Sequence, residues 1–384
     1  MFTLTPSPLS MPLLKPLAEL SHHHQLSDYI TAIAWSPVGN TLAVTSGAGE
    51  VLLLHNDSDL LLQDANGLSI DDIAFSADGQ WLAAGGQAGQ INLWPMTIEM
   101  ATEKAPATKT LTGDSAWIDR LQWHPHHNLL AFNRGKTVQI WDADRAEMLT
   151  TLELAAQVQD IGWSPDGQHL AVAANTLVHI WRIPQWDHPL HQWELMAPAM
   201  SLSWSPEGAY LATANQDLSV SILTWAKVSF INQASTAEDD LPTLIRGFPG
   251  KIRQLAWADV PDADRSPILA AATRELVAMS MLVPDEGWQS WILDSHTANV
   301  LDIAFQPQTG LLASLSEDGW VILWKAAIEA AQMLDGAMDG FSCLAWHPTG
   351  QCLAAGGQRG EVLVWSVDLG YEGLGYENDE WGLD

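Results

Sequence analysis

The stretch LLASLSEDGWVILW, Leu311 to Trp324, decides the reading of this chain, because looser copies of it return along the sequence at intervals of roughly 40 to 50 residues. Each copy has an aromatic residue closing a short apolar-alternating run, then a turn, then a second run that opens on Leu-Ala. The anchoring aromatics are Trp35, Phe75, Trp123, Trp163, Trp204, Trp257, Phe305 and Trp346. The turn is clearest at Ser164 to Gly167, where Ser-Pro-Asp-Gly is strong turn chemistry. Small-residue runs follow, such as LAVTSG from Leu42 and LAAGGQ from Leu82 and Leu353, and then an apolar run closed by Trp94, Trp141, Trp181, Trp324 or Trp365.

A unit of this kind is a strand meander that cannot bury both of its faces alone, so stacking units around a ring is what supplies a core. The period therefore predicts an all-β chain folded as a β-propeller of eight blades, with seven as the alternative count. Small residues in the second strand predict crowding near the ring axis. The 20 tryptophans are expected mainly as filler between sheets.

From about Leu14 to Trp365 these residues resemble the WD40 repeat family. The resemblance implies a hydrogen-bonded set in each unit, made by a histidine before the first strand, a hydroxyl on the second, a turn aspartate and the closing tryptophan. Unit seven matches in full, with His296, Ser314, Asp318 and Trp324 in those roles. Elsewhere the set is broken. Ala88 and Arg359 stand where the turn aspartate belongs in units two and eight, Leu54 and Leu223 take the tryptophan position in units one and five, and unit six has neither mark. Residues Lys15 to Leu20 lie where other units carry their outermost strand, so the ring is expected to close by an N-terminal strand joining the last blade. Closure of that kind removes free strand edges.

The expected organisation is an irregular segment over 1–13, a single propeller domain over 14–365 and an acidic tail over 366–384. Three connections, Pro95 to Asp114, Thr224 to Gly250 and Asp259 to Pro267, read as surface excursions. The tail carries Tyr371, Tyr376 and Trp381 among acids, which suits either a solubilising tail or a docking peptide. Cys343 and Cys352 fall in adjacent strands and read as free thiols. The first twenty residues are interrupted by prolines and have neither a charged leader nor an apolar core, so no signal peptide or membrane span is expected and the cytoplasm is the expected compartment.

The balance of 46 acids against 16 bases, a formal net charge of −30, bears directly on partners. Phosphate backbones need clustered Lys and Arg, and anionic membranes attract the same groups, so neither nucleic acid nor a membrane is expected as a partner. A basic protein or peptide would be steered toward such a surface.

Ser314, His296 and Asp318 have the composition of a hydrolase triad, but the resemblance makes them structural, and no phosphate loop, GxSxG or HExxH is present. No enzyme activity and no cofactor are expected. Of the 13 histidines, the run His22, His23 and His24 is placed in a loop on the narrow face, and His124, His126 and His127 in a turn on the wide face. Imidazoles bind zinc or nickel readily, but consecutive histidines do not point together and the spacing lacks a standard ligand pattern, so a capping or surface role and no metal site are expected, with His22 to His24 the candidates if a metal is held.

Turns between second and third strands repeat a polar residue at one position, Gln87, Gln216, Glu317 and Gln358, and these could ring the narrow face. Asp28, Asp72, Asp119 and Asp302, at the starts of first strands, would add acid to that rim. The leading expectation is a non-enzymatic scaffold that binds a protein or peptide there. The alternatives are a zinc-handling accessory protein using His22 to His24 and a propeller enzyme with a central-channel site.

Overall fold

The computed structural model describes residues 16–55, 58–96, 109–113, 116–225, 242–259 and 266–368. Residues 97–108, 114–115, 226–241 and 260–265 of the long connections, and the segments 1–15 and 369–384 with Tyr371, Tyr376 and Trp381, lie outside it. Among the described residues the strands form eight four-stranded antiparallel sheets. In the first blade these are β2 (Ile30–Trp35), β3 (Thr41–Ser46), β4 (Val51–His55) and β5 (Ser58–Gln63), paired in chain order. The eighth blade consists of β30 (Phe341–Trp346), β31 (Cys352–Gly357), β32 (Glu361–Val367) and, as outer strand, β1 (Ala18–Gln25). First strands of successive blades touch one another around the molecule, and β30 touches β2, so the eight sheets close a ring with their first strands innermost.

Closure differs in detail from the sequence expectation. The strand that joins the last blade runs from Ala18 to Gln25, displaced from Lys15 to Leu20 so that it takes in the whole histidine run. His22 pairs with Val364 and His24 with Val362, placing these histidines in a sheet and not in a narrow-face loop.

The crowding of small residues also has a different cause. Second strands are not at the axis; they are the most deeply buried, with all six residues of β3 buried between neighbouring sheets. A Cβ on Gly356 would come within 2.5 Å of Ile30, and one on Gly85 within 2.9 Å of Ile118. These glycines let an isoleucine of the next blade, in its first strand at Ile30 and in the loop before it at Ile118, approach the sheet closely.

The anchoring tryptophans are more than filler. The indole N–H of Trp35, Trp123, Trp163, Trp204, Trp257 and Trp346 donates to a first-strand carbonyl of the preceding blade, at Ala345, Ala74, Gln122, Gly162, Ser203 and Ala304, over 3.0 to 3.2 Å. Each therefore packs a large ring between sheets and satisfies a backbone acceptor of its neighbour. Phe75 and Phe305 fill the same position without this bond.

Candidate functional site

An antiparallel meander brings the turns between second and third strands, and the loops leading into first strands, to one end of every blade. In the family geometry this end is the narrow face. Gln87, Gln216, Glu317 and Gln358 occupy equivalent places there with exposed side chains. Their backbone N–H groups donate to the carbonyls of Ser69, Pro198, Asn299 and Gly340 over 2.8 to 3.1 Å, so each turn is tied to the incoming loop of its own blade. Glu317 also accepts a bond from Asn299 at 2.8 Å.

The four aspartates divide. Asp28 is exposed beside Tyr29, whose backbone N–H it accepts, and Asp119 is bonded by the Asn133 amide at the entry to the third blade. Asp72 and Asp302 do not belong to the rim. Both lie inside first strands, immediately after a register shift. Asp302 accepts the N–H of Ile303 at 2.9 Å on one oxygen and that of Leu344, in the next blade, at 3.0 Å on the other. Asp72 accepts Leu121 of the next blade at 2.8 Å, and Asp160 bonds Ile161 and Leu202 in the same way. These carboxylates staple inner strand to inner strand. Burial pushes Asp72 and Asp302 up to about 6 despite those bonds, and raises Asp160 as well. Arg120, 3.2 Å from Asp160, is kept charged against the cost of burial by Asp160, Asp72 and Asp119.

In unit seven the indole N–H of Trp324 donates to the Ser314 hydroxyl at 2.8 Å. That hydroxyl donates to Nε2 of His296 at 2.8 Å, and Nδ1–H of His296 donates to Asp318 at 3.0 Å. This tautomer is the one in which every member of the chain has a partner. Burial lowers the His296 pKa, favouring the neutral ring. Ser314 is fully buried, and its oxygen is committed on both sides, which leaves no approach for a substrate.

The second histidine run is also structural. Nε2 of His124 bonds the Gly167 carbonyl at 2.8 Å and Nδ1 accepts the N–H groups of His126 and His127, both at 3.0 Å. His347 and Gln306 make the same reach to Gly39 and Gly350 of their next blades. Among the described residues no three His, Cys, Asp or Glu side chains are grouped so as to hold a metal ion. His24 instead faces Asp59 of the first blade at 3.3 Å. Cys343 and Cys352 are free thiols, and burial pushes Cys343 up to about 12.

The sequence reading missed the apolar part of this face. Tyr29, Leu68, Trp117, Met196, Leu218, Trp320 and Met338 are large apolar residues that stand exposed on these turns and loops, Met338 at 96% and Met196 at 78%. Asp28, Asp71, Asp119, Asp217, Glu317 and Asp339 lie next to them in sequence or in the facing turn. The signal was present, since these apolar residues fall outside the alternating strand pattern and one to three residues before or after it.

A ring of eight four-stranded meanders joined by indole and carboxylate bonds defines a β-propeller of repeat type, with an exposed polar and apolar face. The WD domain, G-beta repeat pattern matches residues 14–53, 62–95, 106–142, 147–182, 287–325 and 330–366. The chain belongs to the WD40 family. Human Coronin-7 is 34% identical over 133 residues, covering 33% of this chain and 14% of Coronin-7. The protein transport protein sec13 of Emericella nidulans is 25% identical over 182 residues, covering 40% of this chain and 58% of that protein. The chain thus spans less than two thirds of the length of these relatives. Sqt1 from Chaetomium thermophilum matches over 91% of this chain and 100% of its own, with a TM-score of 0.73 at 17% identity. Sqt1 bound to the N-terminus of the ribosomal protein L10 matches with a TM-score of 0.72 at 18% identity, over 89% of this chain and 97% of that one. At such identities the likeness is one of fold.

Proposed function

We propose that this protein is a non-enzymatic, cytoplasmic scaffold whose narrow face binds a basic protein or peptide. The observation that carries the reading is the group of exposed apolar side chains, among them Tyr29, Trp117, Trp320 and Met338, set among carboxylates on the turns at one end of the ring. Exposed aromatics and methionines ringed by polar groups are what interface hot spots require. A net charge of −30 favours encounter with a cationic partner, and the polar turns offer donors and acceptors for an extended backbone. Sqt1, alike in fold, is known bound to a peptide segment, which makes peptide recognition a natural use of the architecture. The buried, fully committed Ser314 supports a structural tetrad over a catalytic one.

The test is affinity capture from native lysate using the intact chain, a Tyr29→Ser/Trp117→Ser/Trp320→Ser variant and a variant with Gln87, Gln216, Glu317 and Gln358 changed to Ala. A partner held by the intact chain and lost from both variants supports this face as the site. Retention by both removes it.

A further inference from the structure

The tryptophan that closes a third strand sits opposite a leucine in the first two positions of the second strand, and the pairing identifies this position in every blade. It is Trp94, Trp141, Trp181, Trp324 and Trp365 in five blades, and Leu54, Leu223 and Ser280 in blades one, five and six. The five tryptophans fill the junction with the preceding blade. Two of the three gaps are made good by another aromatic. Trp225 stands in for Leu223, 5.6 Å from Trp204, and Trp288 stands in for Ser280, packed 6.1 Å from Trp257 and 6.0 Å from Tyr210.

Among the described residues blade one has no such replacement. Between it and the closing blade lies a cleft of about 440 Å³, lined in part by Leu54, Trp35, His347, Cys352, His22 and His24. Trp35 and His347 meet edge to face at 5.0 Å on one side of it. The cleft opens near the start of β31, at the end toward which β32 runs, and Val364 of β32 forms part of its wall. The described chain reaches Asp368, just past the end of β32 at this lip, and the sequence that follows is LGYEGLGYENDEWGLD over 369–384. It supplies Tyr371, Tyr376 and Trp381 with five carboxylates and no base. Trp381 is within reach by contour length, since a dozen residues span up to roughly 40 Å.

We propose that this cleft is an aromatic-binding site filled in cis by the segment 369–384, with Trp381 as the inserted ring and its neighbouring acids meeting His22 and His24. The site lies on the face opposite the proposed partner surface and does not depend on that reading. The missing ring of blade one is then restored by a side chain that can leave again, and acidic, aromatic segments of other proteins would compete for the same place.

Cys352 in the wall reports occupancy in the full chain. Its alkylation by iodoacetamide, mapped by mass spectrometry with Cys343 as internal reference, is to be compared in the native chain and in a Tyr371→Ala/Tyr376→Ala/Trp381→Ala variant. The expected result is modification of Cys352 at least several-fold faster in the variant, with Cys343 unchanged. In a Leu54→Trp background, where the cleft is filled from within, the same three substitutions should no longer change the rate. Equal Cys352 rates in native and triple-variant chains overturn the proposal, as does acceleration by Phe2→Ala alone, which would assign the cleft to residues 1–15.

Discussion

Replacing Asp72 and Asp302 together by asparagine should alter how stability depends on pH in a calculable way. Each carboxyl is pushed from 3.8 to about 6 in the folded chain, mainly by burial. A folded pKa above the unfolded one means that the folded state holds the proton more tightly. The resulting stabilisation is complete below about pH 3.8 and is lost as pH rises through about 6. Between pH 8 and pH 5 each group should add about 1.4 kcal/mol, so the pair adds about 3 kcal/mol. Two opposing trends share this window. His124, His169, His179 and His296 have lowered values through burial, so charging them on unfolding favours the unfolded chain as pH falls, whereas the relief of acidic self-repulsion favours the folded one. The comparison of native and double variant cancels both. Urea midpoints at pH 5 and pH 8, with slopes checked for equality, give the stability change for each chain. The native increment should exceed that of Asp72→Asn/Asp302→Asn by about 3 kcal/mol. Equal increments would refute the assignment of raised values to these carboxyls, and a larger increment in the variant would reverse its sign.

The inter-blade indoles give a second expectation: Trp123→Phe should cost about 1 to 2 kcal/mol by leaving the Ala74 carbonyl without its donor, measured by urea unfolding. Ser314→Ala strands both Trp324 Nε1 and His296 Nε2 in a buried site and should cost about 2 to 4 kcal/mol, whereas Ser314→Thr should recover part of it. The face variant Tyr29→Ser/Trp117→Ser/Trp320→Ser should keep a thermal midpoint within a few degrees of the native chain, since surface changes are usually within about 0.5 kcal/mol each. A collapse in its midpoint would show that these residues hold the ring together.

The ring itself was legible because its signal repeats. One Trp-turn-Leu-Ala unit is ambiguous, but eight in register leave little choice, and even the degenerate sixth unit forms its sheet around Ile252–Trp257 and Ile268–Thr273. Outer strands were harder to read. Runs such as Glu147–Glu153 and His191–Glu194 are half exposed, so no strong apolar period marks them. That weakness also explains the misplaced His22 to His24, which belong to the outermost strand of the closing blade. Asp72 and Asp302 were misassigned for a different reason. An acid near a strand end ordinarily faces water, but here a register shift turns it across the junction to backbone N–H groups that sequence spacing cannot display. The exposed apolar residues of the narrow face went unread because single hydrophobics in loops carry no period.

Pairing of β1 with β32 sets residue 18 against residue 367, so β1 must wait for a partner strand made about 350 residues later. Drawing together strands some 350 residues apart costs roughly 3 kcal/mol more loop entropy than closing a ten-residue hairpin. Seven stacked blades lower that cost by holding the two strands near each other before they meet. Until then β32 presents an unpaired edge during synthesis. A β1 strand from another nascent chain could occupy it, giving an exchanged dimer that persists wherever chains are made close together.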